Sequence, residues 1–223
     1  MPLAVRAFVL LLAIAGNLST PAYSQNGLRR SFKVSREDDA LLNEIEHRSF
    51  LYFWEQADPG TGLVHDRARL DGSPIDPGHR DVASIAATGF GLSVLCIGAQ
   101  RHWMPEKSIR NRVYGTLDFF ANRAPAVHGW FYHWMNAATG ERTWQSEVSS
   151  IDTALLLAGV LTVRGYYAND AEIRSLASAI YNRVDFKWMQ NGAPELLSHG
   201  WKPESGFLQF KWDTYSECGI LYL

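Results

Sequence analysis

The sequence WQSEVSSIDTALLLAGVL, at residues 144–161, is the most informative part of the chain. A tryptophan and two carboxylates, Glu147 and Asp152, stand against a long apolar segment. That segment is apolar nearly all round, which is typical of a helix buried on most of its sides. The stretch therefore predicts a rigid helical scaffold with charged side chains at its mouth, where a polar binding or catalytic site can form.

The composition is that of a globular protein with many aromatic side chains. Of 223 residues, 47% are hydrophobic and 20% are charged, and the net charge of −2 argues against nucleic acid as a partner. The chain holds 8 Trp, 9 Tyr and 11 Phe, and rings of this kind form flat, amphipathic ligand surfaces as well as cores. We expect a monomer that binds an oligo- or polysaccharide.

The N-terminus has the features of a secretory signal. Arg6 precedes an apolar segment, residues 7–15, which is too short to span a bilayer, and small residues precede Gln25, where we predict cleavage. The mature chain is then periplasmic or secreted and free of the membrane. The predicted organisation is a signal peptide (1–24), a linker (25–36) and a folded domain (37–223).

Helical periodicity dominates the rest of the chain, so we predict an all-α fold. The predicted helices at residues 81–102 and 148–167 are apolar nearly all round, whereas those that begin at residues 105 and 170 are amphipathic. This alternation is what helical hairpins in two concentric layers would show. Only short strands, near Phe131 or Phe207, are expected. The predicted helices cover residues 36–56, 81–102, a segment from 105, residues 148–167 and 170–188, and another starts near Thr214.

Cysteine and metal chemistry have little support. Cys96 and Cys218 are the only cysteines and could pair in an exported protein, but a buried free thiol is favoured for Cys96 because its helix is strongly apolar. The histidines lack metal-ligand spacing, and no GxSxG, P-loop or HExxH motif is present. We expect no metal and no cofactor.

Aromatic loops that carry carboxylates indicate a sugar ligand. Pyranose rings stack on aromatic faces, and their hydroxyls need partners such as carboxylates. The alternative is that these aromatics only pack the loops, and that Glu147 or Asp152 only caps a helix. At 100° per helical residue the two carboxylates lie on different faces, so they need not form a dyad. Glu217 repeats the pattern before the next apolar segment.

Three segments give the chain a family resemblance: ASIAATGFG (83–91), SEVSSIDTALLLAG (146–159) and WDTYSE (212–217). In this order they resemble the glucoamylase-like domain of bacterial endo-β-1,2-glucanases, which also occurs in cyclic β-1,2-glucan synthases. The resemblance implies an (α/α)6 toroid and inverting, metal-free hydrolysis of β-1,2-glucan. It also implies that Glu217 is the general acid and that the general base lies beyond residue 223. The chain would then be a partial ring of helical hairpins.

We therefore predict an exported glycoside hydrolase that cleaves β-linked glucan, most readily β-1,2-glucan, and expect the chain alone to be inactive. The alternatives are a non-catalytic glycan-binding module and a polysaccharide lyase on the same toroid; acidic loops argue against a lyase. The predicted catalytic residue is Glu217. The predicted substrate-binding residues are Asp66, Trp130, His133, Trp134, Trp144, Glu147, Asp152, Trp212, Asp213 and Tyr215.

Overall fold

A computed structural model describes residues 34–222 of the chain. The predicted signal peptide and most of the predicted linker lie outside the described residues. The described residues divide into two compact units, with the boundary between Ser49 and Phe50. All candidate site residues belong to the second unit.

Helix α1, Arg36–Glu55, begins and ends within one residue of its predicted bounds. Its start is capped by Ser35, whose hydroxyl accepts a hydrogen bond from the backbone N–H of Asp38 at 3.0 Å. Acidic residues in the first turn complement the helix dipole. Three apolar residues of this helix are more than half exposed, namely Leu41, Leu42 and Ile45.

The second unit confirms the all-α class and most predicted helices. The predicted fifth helix is wrong in its extent, because Asp185 caps a separate short helix by accepting from the backbone N–H of Trp188. The helix expected near Thr214 is a 3₁₀ helix. The observed elements are α2 Ile85–Gln100, α3 Glu106–Asn122, α4 Ser150–Tyr166, α5 Ala171–Asn182, α6 Phe186–Met189 and the 3₁₀ helix Glu217–Tyr222.

Within residues 34–222, eight strands of two or three residues lie in the loops between the helices. Strands near Phe131 and Phe207 were expected and are confirmed, whereas the others are too short to show an alternating pattern. They form antiparallel sheets in the orders β1-β2-β5, β3-β4 and β6-β7-β8. The strands are β1 Val64–His65, β2 Val82–Ser84, β3 Ala126–Val127, β4 Trp130–Phe131, β5 Trp134–Asn136, β6 Val148–Ser149, β7 Gly200–Lys202 and β8 Gly206–Phe207.

The predicted alternation of buried and amphipathic helices is present. Buried residues lie on several sides of α2 and α4, which pack against each other. Helix α5 buries only Ile173, Ala177 and Ile180, which follow the spacing of a single helical face, and α3 packs against it. Helices α2 and α4 therefore form the inner layer, and α3 and α5 form the outer layer.

The two inner helices cross at a pair of glycines. A Cβ atom on Gly159 would lie 2.8 Å from the Cα of Gly89, and closer still to its carbonyl oxygen. A Cβ atom on Gly89 would lie 2.6 Å from the Cα of Leu156. Because these neighbours are backbone atoms and cannot turn away, only glycine allows this approach.

Both cysteines are buried and unpaired, as favoured for Cys96. The Cys96 thiol lies 3.6 Å from the carbonyl oxygen of Leu92, within its own helix. Burial raises the pKa of Cys96 to about 12. The group therefore stays a neutral thiol at physiological pH and acts as a small core side chain.

We predict that Gly159→Ala destabilises the protein by about 2–3 kcal/mol, because the added methyl group forces the inner helices apart. Denaturant unfolding of the intact protein measures the change. The control is Gly115→Ala in the outer helix α3, where an added Cβ meets nothing within 4 Å. That control should be neutral or stabilising by up to about 1 kcal/mol. Equal effects of the two substitutions would contradict the close crossing.

Candidate active site

The candidate site is built where the inner helices begin. Ser84 caps α2 by accepting from the backbone N–H of Ala87, and Ser149 caps α4 by accepting from that of Asp152. At the 3₁₀ helix, Ser216 accepts from the backbone N–H of Cys218. A serine thus fixes each start and frees the neighbouring positions for functional side chains.

Backbone hydrogen bonds bring these helix starts together. The N–H of Ile85, at the start of α2, donates to the carbonyl oxygen of His133, while the N–H of His133 donates to that of Glu147 at 2.9 Å. The N–H of Ser150, at the start of α4, donates in the same way to the carbonyl oxygen of His199 at 3.2 Å. His133 and His199 each directly precede a strand, β5 and β7, so the same arrangement occurs twice.

The His133 imidazole joins two carboxylates. Its Nδ1 lies 3.0 Å from Oε1 of Glu147, and its Nε2 lies 3.5 Å from Oδ1 of Asp152. Glu147 precedes the helix and does not follow helical geometry, so the prediction that the two carboxylates lie on different helix faces is wrong. We call His133, Glu147 and Asp152 the histidine–carboxylate cluster.

Asp152 lies in the first turn of the largely buried helix α4, where an unpaired carboxylate is costly. Its Oδ2 accepts a hydrogen bond from the Ser149 hydroxyl at 2.5 Å, and its other oxygen faces His133. The expected pairing is therefore present. A carboxylate in a first turn also lies close to the positive end of the helix dipole, which is a favourable position for an acidic side chain.

The electrostatics of the cluster favour a charged pair. Burial lowers the pKa of His133, but the hydrogen bond to Glu147 and the charges of Asp152, Glu147 and Asp66 raise it by more. Its pKa therefore lies above the ordinary value of 6.5. The hydrogen bond from His133 holds the pKa of Glu147 below its usual value, with burial opposing. Glu147 is thus an anion at neutral pH, able to accept hydrogen bonds from a ligand.

Aromatic rings extend from the cluster to the surface. The His133 ring stacks on Trp134, with centroids 4.2 Å apart and planes at 17°. Trp134 meets Trp144 edge-on at 5.6 Å, and Trp144 meets His79 edge-on at 5.0 Å. Trp144 is 46% exposed. Half-exposed rings beside carboxylates can stack on a sugar ring while its hydroxyl groups bind the acids.

A second stack stands at the next helix start. His199 stacks on Trp212 at 3.9 Å, and the indole N–H of Trp212 donates to the Ser150 hydroxyl at 2.8 Å. The Ser150 hydroxyl donates in turn to the carbonyl oxygen of Ser198 at 2.7 Å. Next to this stack lies a cleft of about 500 Å³, lined in part by His199, Trp212 and Asp213.

The other predicted site residues lie outside the histidine–carboxylate cluster. Asp66 pairs with Arg67 and contributes to the field at His133. Tyr215 is 91% exposed, and Asp213 and Glu217 are also exposed. Among residues 34–222, no hydrogen bond or ion pair joins the Glu217 side chain to the histidine–carboxylate cluster. The prediction that Glu217 acts as general acid stays a prediction.

The predicted role of Trp130 needs correction. The prediction that it binds substrate is wrong, because its ring has no exposed surface and packs edge-on against Phe186 at 5.3 Å. Its indole N–H donates to the carbonyl oxygen of Asp185 at 2.9 Å. Sequence composition alone could not separate it from Trp134 and Trp144, because all three stand in one aromatic loop.

Two residues near the site, Arg142 and Glu204, were not predicted from the sequence. Arg142 donates to both carboxylate oxygens of Glu204, at 2.5 and 2.9 Å, and so links the loop of Trp144 to the turn between β7 and β8. The only sequence signal was a basic residue close to Trp144. Their partnership spans 62 positions and is not visible without the fold.

No cluster of three or more His, Cys, Asp or Glu side chains in residues 34–222 is arranged to hold a metal ion. The described helices also include none with the length and apolar character needed to cross a bilayer.

Comparison with known proteins finds relatives among β-1,2-glucan hydrolases, although no known family profile matches the chain. The chain is 26% identical over 198 residues to an exo β-1,2-glucooligosaccharide sophorohydrolase (non-reducing end) from Parabacteroides distasonis, with 83% of this chain and 26% of the relative covered. It is 28% identical to a solved endo-β-1,2-glucanase from Chitinophaga pinensis, in complex with sophorotriose and glucose, with a TM-score of 0.74. That match covers 82% of this chain and 46% of the other.

A solved β-1,2-glucanase from Parabacteroides distasonis is 22% identical, with a TM-score of 0.69, and the match covers 86% of this chain and 27% of the other. At that identity the likeness concerns the fold. The resemblance to glucoamylase-like β-1,2-glucanases is confirmed, and the fold agrees with a partial all-α toroid. The chain spans about half the length of the solved Chitinophaga enzyme, and about a quarter of the Parabacteroides relatives.

We predict that the His133–Glu147 pair stabilises the protein most between about pH 4.5 and 6.5. The His133 contribution is full below about pH 6.5 and is lost as pH rises through its raised pKa. The Glu147 contribution is full above about pH 4.5 and is lost as pH falls through its lowered pKa. Thermal unfolding of wild type and His133→Gln across pH 4–9 measures the difference, about 1–2 kcal/mol at its maximum.

Glu147→Gln is the matched partner variant and should show the same pH profile relative to wild type. A stability difference that is constant across the pH range would contradict the charged pair, even if both variants are destabilised.

Proposed function

We propose that the chain is part of an exported glycoside hydrolase that cleaves β-1,2-glucan by inverting acid/base hydrolysis. The observation that carries the proposal is the exposed Trp144 ring in contact with the Trp134 stack beside the histidine–carboxylate cluster, in a chain similar to β-1,2-glucan hydrolases. The relatives include an endo-acting and an exo-acting enzyme, so the proposal names the linkage and not the position of the cut.

Substrate binding follows from the chemistry of the site. A pyranose ring offers an apolar C–H face to the Trp144 or Trp134 ring, while its hydroxyl groups donate to Glu147 and Asp152. In a protonated His133 both imidazole nitrogens are donors, so one cation holds both acids in place. The acids therefore keep a fixed direction without losing their capacity to accept further hydrogen bonds.

We expect Glu217 to act as the general acid. Its carboxyl proton passes to the glycosidic oxygen as the bond between that oxygen and the anomeric carbon breaks. The oxygen of a water molecule forms the new bond to the anomeric carbon from the opposite face, and its proton passes to the general base. Following the family resemblance, we expect that base in a part of the enzyme outside this chain.

The position of Glu217 supports its assignment. It is the first residue of the 3₁₀ helix, and Trp212, in the preceding loop, is bound to the start of α4 through Ser150. The exposed Glu217 carboxylate thus follows an aromatic loop at the start of a helix that packs on α4, as Glu147 does at α4 itself.

The proposal of export rests on the signal-like N-terminal sequence, and the N-terminal sequence of the mature protein tests it.

We predict that Glu217→Gln lowers kcat of the intact enzyme on linear β-1,2-glucan by at least about 100-fold, because a general acid contributes about 10²–10⁴-fold. Release of reducing ends measures the rate. Glu106→Gln is the control, since Glu106 also is the first residue of a helix but lies on the outer helix α3. Full activity of Glu217→Gln would refute the acid assignment, and binding of glucan without turnover by wild type would favour a glycan-binding module.

We also predict that the first product formed from the β-linked substrate carries the α-anomeric configuration, because water attacks opposite the leaving oxygen. Proton NMR of the anomeric signals in the first minutes, before mutarotation, measures this. An initial β-anomer would contradict inversion and indicate a covalent glycosyl intermediate.

A further inference from the structure

The loop that carries Trp144 has an unusual backbone. Trp144 and Gln145 are consecutive residues with positive φ angles, 55° and 51°. Residues other than glycine rarely adopt this left-handed conformation, and two in succession require surroundings that hold them. The backbone at Trp144 is therefore fixed by contacts outside the two residues.

Arg142 supplies two of those contacts, alongside the hydrogen bond from the Ser146 N–H to the Thr143 carbonyl oxygen that closes the turn at 3.0 Å. Its Nε donates to the carbonyl oxygen of Ser146 at 2.5 Å, and its Nη2 donates to that of Gln145 at 2.7 Å. The guanidinium group thus satisfies two carbonyl groups that follow Trp144 directly. A planar group with five donors can span both carbonyls and still bind a carboxylate, which a lysine ammonium cannot do in one geometry.

Glu204 fixes the direction of Arg142. The two side chains form a two-pronged ion pair, and the Arg142 side chain is only 16% exposed. The guanidinium also lies 5.1 Å from the ring centre of Tyr132. Hydrogen bonding to Glu204 raises the pKa of Arg142, while hydrogen bonding from Arg142 lowers that of Glu204. Both groups stay charged.

The Trp144 ring depends on this backbone. It is 46% exposed, and its ring contacts within residues 34–222 are the edge-type contacts with Trp134 and His79. No described ring packs flat against it. The direction of the indole is thus set by the turn that carries it more than by packing.

We propose that Arg142, held by Glu204, is a positioning residue that fixes the Trp144 ring as a sugar-stacking surface. The inference rests on the proposed function for the identity of the ligand. Arg142 touches no reacting atom in this account. It acts through the backbone of residues 144–146. Its ion pair with Glu204 connects this loop to the turn between β7 and β8.

The first test is steady-state kinetics of the intact enzyme on β-1,2-glucan oligosaccharides. Arg142→Lys and Trp144→Ala should each raise KM by about tenfold, the loss of one aromatic contact, with kcat within about twofold of wild type. The double variant should be no worse than Trp144→Ala alone, because both changes remove the same surface. Additive effects would overturn the proposal.

The matched control is Arg110→Lys. Arg110 also binds two acids, Asp170 and Glu172, but between the outer helices. It should leave KM unchanged. A rise in KM equal to that of Arg142→Lys would show that loss of any arginine network loosens the protein, and would overturn the specific role of Arg142.

A second readout separates this inference from the proposed function. In protein labelled with 5-fluorotryptophan, the Trp144 signal is assigned as the one missing in Trp144→Phe. Arg142→Lys should shift or broaden that ¹⁹F signal alone. An unchanged signal overturns the proposal whatever the substrate is. If the Trp144 signal moves in Arg142→Lys but the wild-type enzyme does not act on β-1,2-glucan, the role of Arg142 in positioning Trp144 is supported and only the proposed function is refuted.

Discussion

The close approach of α2 and α4 at Gly89 and Gly159 determines the positions of the outer helices and of the candidate site. Their backbones come so near that neither position has room for a methyl group. Two buried helices at this separation share one core, and the starts of both helices then lie within reach of a single residue, His133. The amphipathic helices α3 and α5 cover the outside. The candidate site residues lie at the ends where the inner helices begin.

At those ends, electrostatics and aromatic packing act together. A serine cap satisfies each helix start, so Asp152 can turn its second oxygen toward His133 while Ser149 binds the first. The imidazole then holds Glu147 on its other side and stacks on Trp134. Fixed anions beside exposed rings suit a neutral, hydroxyl-rich ligand, because acids accept from the hydroxyl groups and rings cover the C–H faces.

The scaffold was readable from the sequence, because long apolar and amphipathic segments report helical burial directly. The alternation of inner and outer helices needed no fold to be seen. The site was readable only in part. Glu147, Asp152, His133 and Trp134 were named from composition, but their convergence depends on strands too short to detect. Glu147 was treated as part of the helix and was therefore placed on the wrong face. Trp130 was predicted to bind a ligand because the sequence of an aromatic loop does not show which of its rings are buried.

The most direct measurement is a crystal structure of the intact Glu217→Gln variant with a β-1,2-linked glucooligosaccharide. We expect sugar rings stacked on Trp144 or Trp134, with hydroxyl groups bound by Glu147 and Asp152, and a glycosidic oxygen within hydrogen-bond distance of residue 217. An oligosaccharide that lies elsewhere on the protein, with the histidine–carboxylate cluster free of sugar, would contradict it.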